Sequence, residues 1–307
     1  MANTNKILVI KLGALGDFII SLGAMRAIKK HHPHAHITLL TTKPFKSFAE
    51  QSNYFDEIWI DEKPKFYQLS KWRALKHKLN TANFSRVYDL QNNDRTSLYF
   101  KLLSNKKTEW VGAAKRASHH YDAPERTAGL PLTGLKLLLG HAGLSDVTVD
   151  TMDWIKTDID RFNLTSPYAL IVAGSAPSRP EKRWDAQNYA DLCNALVAKN
   201  IQPVLIGTQD EKDITDTIHQ LCPDCVNLST QTSLFDIITL GRHAQYAIGN
   251  DTGPMHMVAP TGCNTLVLFS RHSNPTRNAP MGKNVQTIQV NDFSDLSVKD
   301  VQHKLFN

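Results

Sequence analysis

The chain has 307 residues, 41% of them hydrophobic and 21% charged, with a formal net charge of +6. That length suits two domains whose cores need no disulfide or metal staple. The composition is that of a globular protein and excludes a disordered chain or a collagen-like fibre; no apolar run reaches the about 18 residues a spanning helix needs, which argues against an integral membrane protein.

The charge is unevenly spread. Residues 1–150 hold 22 Lys and Arg against 13 Asp and Glu, a balance of +9, whereas residues 151–307 hold 13 against 16, a balance of −3. The excess is densest in residues 63–86, with seven basic residues and no acidic one, and a second basic stretch runs from Arg95 to Arg116. Such a half can meet nucleic acid, a membrane surface or a phosphorylated substrate; a solvated helix face is the plainer alternative. The opening MANTNKILVIKLGALGDF does not read as a signal peptide. Four cysteines (Cys193, Cys222, Cys225, Cys263) without an export signal suggest a reducing compartment. Cys222-Pro-Asp-Cys225 is a lone CxxC, read as two loop thiols because a zinc site needs about four ligands.

In chain order, strand and helix alternate. Lys6–Leu12 is a short apolar run bounded by glycine, a buried strand. Phe18–Lys30 carries a helical apolar stripe. A strand at Ile37–Thr41, a short helix at Pro44–Gln51, a strand at Glu57–Ile60 and a basic helix at Lys65–Asn80 follow. Next come a strand at Arg86–Leu90, a helix at Thr96–Ser104, a short strand at Glu109–Val111 and a helix at Thr133–His141. Asp146–Pro167 is polar with weak periodicity, which places the domain boundary there: 1–160 and 161–307. The alternation restarts with strands at Tyr168–Val172, Pro203–Ile206, Tyr246–Ile248, Thr265–Phe269 and Val285–Val290. The helices between and after them are Asp185–Lys199 with Asp185 as N-cap, Lys212–Leu221, Ser233–Leu240 with a Ser233/Asp236 capping box, Pro254–Ala259 and Val298–Phe306. The expected fold is α/β, with two doubly wound, Rossmann-like units facing one another across a cleft.

In such sheets ligands bind in the loops at the carboxyl ends of the strands, and four loops qualify. Gly13-Ala-Leu-Gly16-Asp17 follows the first strand; its G-x-x-G spacing is not a dinucleotide fingerprint. Asp17 reads as a helix cap or as a general base. Gly174-Ser-Ala-Pro-Ser-Arg-Pro-Glu-Lys-Arg-Trp184 offers Arg179, Lys182 and Arg183 to a phosphate, or is an exposed basic loop. Gly207-Thr-Gln-Asp-Glu211 sets Asp210 or Glu211 for a ribose, or for the helix dipole alone. In Gly249-Asn-Asp251-Thr252-Gly253-Pro-Met-His256 a strand ends and a helix opens. The free amides of Thr252 and Gly253 suit a pyrophosphate, and His256 lies one turn on, as a ligand contact or a packed residue. The histidines at 31, 32, 34 and 36 straddle Pro33 and suggest no metal geometry. Trp184 reads as packing that could flank a nucleotide.

Taken together, ILVIKLGALGD (7–17), VYDLQ (87–91), EKRW (181–184) and NDTGPMH (250–256) resemble glycosyltransferase family 9, the group of the lipopolysaccharide heptosyltransferases, over nearly the whole chain. The resemblance implies a GT-B fold and inverting, metal-independent transfer of a heptose from ADP-heptose to a Kdo or heptose of the lipopolysaccharide inner core, with no cofactor. It implies Asp17 as base and Lys182 on the donor phosphates. Apart from the resemblance, His120 beside Lys115 and Arg116 reads as a polar loop or as an acceptor contact; within the resemblance, Gly16, Arg183, Glu211, Asp251, Thr252, Gly253 and His256 would complete the donor site. It also suggests that the last helix, about 297–307, packs on the N-terminal domain. The expected setting is the cytoplasm, with transient contact with the inner membrane and no nucleic-acid partner. The alternatives are another sugar or glycan acceptor, or a GT-B nucleotide-sugar epimerase. Gly23 stands where the family usually has proline, Ala173-Gly-Ser replaces a Pro-Gly-Ser turn, Asp185 follows Trp184 in place of proline, and Cys263-Asn-Thr replaces a small-Pro-small stretch.

Overall fold

A computed structural model describes residues 5–175 and 179–307. The chain divides into two units, Met1–Asp150 and Thr151–Asn307. The first holds β1 (Lys6–Ile10), α1 (Leu15–His31), β2 (His36–Thr41), α2 (Lys46–Ser52), β3 (Glu57–Ile60), α3 (Leu69–Ala82), β4 (Arg86–Asp89), α4 (Asp94–Leu102), β5 (Glu109–Gly112), β6 (His119–His120), α5 (Glu125–Ala128) and α6 (Pro131–Gly140). The second holds β7 (Tyr168–Val172), α7 (Ala186–Val197), β8 (Gln202–Leu205), α8 (Lys212–Leu221), β9 (Val226–Asn227), α9 (Leu234–His243), β10 (Tyr246–Asn250), α10 (Gly253–Val258), β11 (Asn264–Phe269), α11 (Pro275–Asn278), β12 (Val285–Gln289) and α12 (Val298–Phe306).

Each unit is a six-stranded sheet, ordered β3-β2-β1-β4-β5-β6 in the first and β12-β11-β10-β7-β8-β9 in the second. Every pairing in both is parallel. Read from its β9 edge, the second sheet repeats the 3-2-1-4-5-6 order of the first. The central strands are apolar on both faces because helices cover both: Ile7, Leu8, Val9 and Ile10 are buried, as are Tyr168 through Val172.

The boundary falls ten residues ahead of the one expected at 160/161, and two arginines account for it. Arg26 on α1 donates from Nη2 to Thr148 Oγ1 (2.7 Å) and Val149 O (3.1 Å) and pairs through Nη1 with the buried Asp150 (3.4 Å). Tyr54 also donates to Asp150 (2.6 Å). Beyond the boundary, Arg242 on α9 donates to Met152 O (2.9 Å) and Ile155 O (3.0 Å). Gly23 lets the 148–150 segment lie against α1, since a Cβ there would sit 1.8 Å from Thr148 O. A proline at this position would lack that room.

Several expectations shift. The helix expected from Lys65 begins at Leu69, because Lys65–Gln68 first closes a turn (Gln68 N to Lys65 O, 2.9 Å). β6, β9, α5 and α11 are two to four residues long, too short to leave a period in the sequence. The last helix lies in the C-terminal unit's own core: Val301 is buried there, and Phe306 meets Tyr246 edge-on at 5.9 Å. Cys222 and Cys225 are not loop thiols but join Cys193 in that core. Burial pushes the Cys222 thiol up to about 12. Its bond with Cys193, then burial, raises Cys225 further. Both remain protonated and inert. Of the clustered histidines, His32 is held by Tyr88 Oη (2.7 Å) and kept neutral by burial, its pKa lowered to about 4. Among the described residues, no group of three His, Cys, Asp or Glu side chains is placed to hold a metal.

Candidate functional site

In a 3-2-1-4-5-6 sheet the winding reverses between strands 1 and 4, and the crevice at their carboxyl ends is where ligands bind. The two units therefore offer two such points: the ends of β1 and β4, and the ends of β7 and β10.

At the second point Asn250 ends β10 and is fully buried. Its Nδ2 donates to Ala173 O (2.7 Å) and Gly174 O (3.1 Å), and its Oδ1 accepts from Trp184 N (3.2 Å) and Tyr189 Oη (3.0 Å). One amide thus joins the ends of two strands to the entry of α7. Trp184 is a packing residue, wholly buried, with Nε1 donating to Leu296 O (3.0 Å).

The next residue, Asp251, turns outward. Lys182 Nζ donates to its Oδ2 at 2.9 Å, with the two side chains 18% and 10% exposed. Ser273 donates to the same oxygen, and Asn278 Nδ2 donates to Ser273 Oγ (3.1 Å). An ammonium that keeps a narrow window to solvent beside a fixed carboxylate is a point charge ready for an anion. Thr252 is the N-cap of α10 and makes no side-chain cap bond; its Oγ1 is buried without a hydrogen-bond partner among the described residues. Gly253 opens the helix and His256, partly buried, sits in its last turn. With six residues α10 has only a small dipole, so the positive charge here comes chiefly from Lys182.

The other basic residues of this loop are occupied by the loop itself. Arg183 donates through Nε to Ser175 Oγ (3.1 Å) and through Nη2 to Ser175 O (2.8 Å). Arg179 pairs with Glu181 (2.6 Å) and donates to His272 O (3.1 Å). Ala176, Pro177 and Ser178 of the same loop lie outside the described residues. Glu211 closes a capping box, accepting from Thr208 N (2.8 Å) and from its hydroxyl. Its chain lies over Gly174, where a Cβ would come within 2.1 Å of Glu211 Cγ, so the acid stands beside the β7 loop while serving as a first-turn group. Asp210, the other acid of that loop, is exposed.

At the first point, Gly13 takes φ +119°, and Leu15 and Gly16 open α1. The N-cap is Ala14, so Asp17 is not the cap; it sits in the first turn, exposed. Beneath it lies Lys11, buried, with Nζ donating to Leu90 O at 3.3 Å. Burial lowers its pKa, and the charges of Asp17 and Asp89 act against that. Asp89, at the end of β4, is wholly buried and raised to about 6 by that burial. Its Oδ1 accepts from Gln91 N (3.1 Å) and Asn92 N (2.9 Å), and Gln91 Oε1 accepts from Leu12 N (2.9 Å). VYDLQ therefore ties β4 to β1, as Asn250 ties β10 to β7. Lys115, Arg116 and His120 are exposed beyond β5, Arg116 with φ +70° and His120 Nδ1 3.0 Å from Ala114 O.

Sequence reasoning assigned no role to Asn250, Ser273, Lys11 or Asp89. A signal existed for Lys11, a charge closing an apolar strand, and for Asn250 and Asp89, polar residues ending strands at a reversal point. Ser273 had none, since it lies 22 residues from its partner Asp251.

The profile of glycosyltransferase family 9 (heptosyltransferase) matches residues 72–305. The chain is 22% identical over 287 residues to the lipopolysaccharide core heptosyltransferase OpsX of Haemophilus influenzae, covering 89% of this chain and 80% of that one. It superimposes on the family 9 glycosyl transferase of Veillonella parvula with a TM-score of 0.82, at 19% identity over 97% of this chain and 95% of the other. On the Escherichia coli heptosyltransferase WaaC with ADP-2-deoxy-2-fluoro heptose the TM-score is 0.75, at 17% identity over 97% and 98% of the two chains. With that match across most of its length, the chain belongs to glycosyltransferase family 9 and is a glycosyltransferase of the heptosyltransferase type.

Proposed function

We propose that this enzyme moves a heptose from ADP-heptose to a Kdo or heptose of the lipopolysaccharide inner core, with inversion and without a metal or cofactor. The observation that carries the reading is the Lys182–Asp251 pair at 2.9 Å, standing at the reversal point of the C-terminal sheet. The donor's diphosphate is taken there. As the sugar–oxygen bond breaks, negative charge grows on the diphosphate, and an ammonium already in place stabilises that charge more than the bound donor. A cationic side chain does this without a metal. The amides at Thr252 and Gly253 add hydrogen bonds, and Glu211, beside Gly174, is within the same loop cluster for the ribose.

The N-terminal unit takes the acceptor. Asp17, exposed in the first turn of α1, accepts the proton of the acceptor hydroxyl as that oxygen attacks the anomeric carbon opposite the leaving group. One displacement inverts the centre, so a single base is enough. Lys115, Arg116 and His120 offer further polar contacts to an anionic acceptor. The +9 balance of residues 1–150 suits a phosphorylated, carboxylated lipid on an anionic cytoplasmic leaflet. No helix among the described residues is long and apolar enough to cross a membrane, so contact with the inner membrane would be peripheral.

The test is Asp17→Asn, assayed with ADP-heptose and a Kdo-bearing lipid acceptor. Turnover falls by about 10²–10⁴-fold while donor affinity is kept. Near-normal turnover removes Asp17 from the mechanism. A thermal-shift series with ADP- and UDP-sugars checks the donor, and stabilisation by a UDP-sugar alone would replace ADP-heptose.

A further inference from the structure

The basic stretch at 63–86 carries a feature that the transfer chemistry does not use. Phe66, Leu69 and Tyr67 are 86%, 62% and 60% exposed, while no other large apolar side chain among the described residues exceeds 43%. Isolated exposed apolar residues need no explanation, but three within four positions form a patch.

The patch is built. Gln68 N donates to Lys65 O (2.9 Å) and Lys65 N donates to Gln68 Oε1 (2.9 Å), so Phe66 and Tyr67 occupy the tip of a closed turn. Trp72 Nε1 donates to Lys65 O (3.0 Å) and ties the turn to α3. Arg95 Nη1 donates to Pro64 O (3.2 Å), and Tyr99 Oη donates to the buried Asp61 (2.6 Å), fixing the base of the loop. The two tip rings touch edge-on, with centroids 5.3 Å apart. Trp72, Leu75 and Leu79 turn to the N-terminal core, whereas Leu69, Arg73 and Lys76, at i, i+4 and i+7, share a solvent-facing side. Lys63 and Lys65 flank the tip in sequence, Lys71 and Lys78 lie on the other side of α3, and no acid stands between 63 and 86. Lys71 is paired with Glu62 (2.6 Å), and Lys78 lies over the Trp59 ring at 4.1 Å.

We propose that this turn and the adjoining side of α3 dock the enzyme on an anionic lipid bilayer, with Phe66, Tyr67 and Leu69 entering the headgroup boundary and the basic residues meeting lipid phosphates. Apolar and amphipathic aromatic side chains at the tip with lysines and arginine behind them match the layering of such an interface. Leu69, an aliphatic side chain that cannot stack on bases, favours lipid over nucleic acid. The proposal deepens the reading of a lipid-borne acceptor and rests on it for its purpose, but its test needs neither donor nor acceptor.

Full-length protein is sedimented with vesicles of phosphatidylglycerol and phosphatidylethanolamine, and with neutral phosphatidylcholine vesicles. Binding is expected to the first only, and to be released by high salt. Phe66→Ser with Tyr67→Ser should weaken it at least tenfold with the thermal melt unchanged. Arg73→Gln with Lys76→Gln should weaken it about twenty-fivefold, at about fivefold per charge. Absence of binding, equal binding to neutral vesicles, or wild-type binding by either double variant overturns the proposal. So does displacement from the vesicles by single-stranded DNA together with tighter binding to the DNA, or a dimer of the wild type that the aromatic variant abolishes. Loss of vesicle binding with turnover on a delipidated acceptor intact leaves the transferase reading standing; intact vesicle binding with no turnover on any ADP-sugar does the reverse.

Discussion

The two reversal points of this molecule share a strand order and differ in which charge they hide. In the N-terminal unit the ammonium of Lys11 is buried and the carboxylate of Asp17 stands exposed. In the C-terminal unit a buried amide, Asn250, forms the floor, and the ammonium of Lys182 reaches a partly open carboxylate. Each floor is a polar residue at the end of the fourth strand of its sheet, Asp89 or Asn250, that binds backbone groups in the neighbouring loops. The same topology therefore presents an exposed carboxylate on one unit and an ammonium on the other, the division of labour that the proposed displacement on a sugar diphosphate calls for. The fold supplies two equivalent places; the residue type at each strand end decides the chemistry.

Three changes break or sharpen that contrast, beyond the loss expected for Asp17→Asn. The largest is Lys182→Met, which leaves the C-terminal point without its ammonium. Turnover should fall by about 10²–10³-fold, as for removal of other groups that stabilise developing charge. Calorimetry with ADP should show weakened binding as well, in contrast to Asp17→Asn. Equal ADP affinity in wild type and variant would detach Lys182 from the diphosphate.

Asn250→Ala tests the floor rather than the charge. It leaves two carbonyls, an amide and the Tyr189 hydroxyl without their buried partner. At ~1–3 kcal/mol for each unpaired group, partly offset by local relaxation, a loss of about 3 kcal/mol in unfolding free energy is expected. Urea unfolding followed by circular dichroism measures it, and an unchanged midpoint would show that the loops hold without the amide.

Asp89→Asn tests the other floor. Because burial raises the Asp89 pKa from 3.8 to about 6, its contribution to stability is complete below 3.8 and is lost as pH rises through about 6. Up to about 3 kcal/mol is at stake, at ~1.4 kcal/mol per tenfold change in proton affinity. Melting temperatures between pH 4 and 7.5 should lose this downward component in the variant. An identical slope in both proteins would mean that Asp89 is ionised throughout, paired with Lys11.

Much of this was legible along the chain. Twenty of the strands and helices alternate with enough period to be placed, and the capping residues Asp185 and the Ser233/Asp236 pair stand where the sequence puts them. The loops carrying Asp17, Lys182, Glu211 and Asp251 do lie at strand ends. What was not legible has a common cause. Arg183 and Glu211 are visible in sequence as charges in glycine loops, but that each is also bonded to a neighbour, Ser175 or Thr208, depends on the local turn and leaves no trace in the sequence. The unit boundary lies ahead of the one the sequence suggests because the Arg26 strap joins residues more than 120 positions apart.

Periodicity and glycine placement were enough to define two parallel α/β units and the loops at their strand ends, and the resemblance of four short motifs pointed to the family. These are local signals, set by which side chains a strand or helix can bury. Which charges are sheltered, which are committed to a loop, and which carboxylate is left facing water were decided only by the tertiary structure. Desolvation and pairing depend on partners brought together from strands and loops far apart in the chain, and no local pattern encodes them.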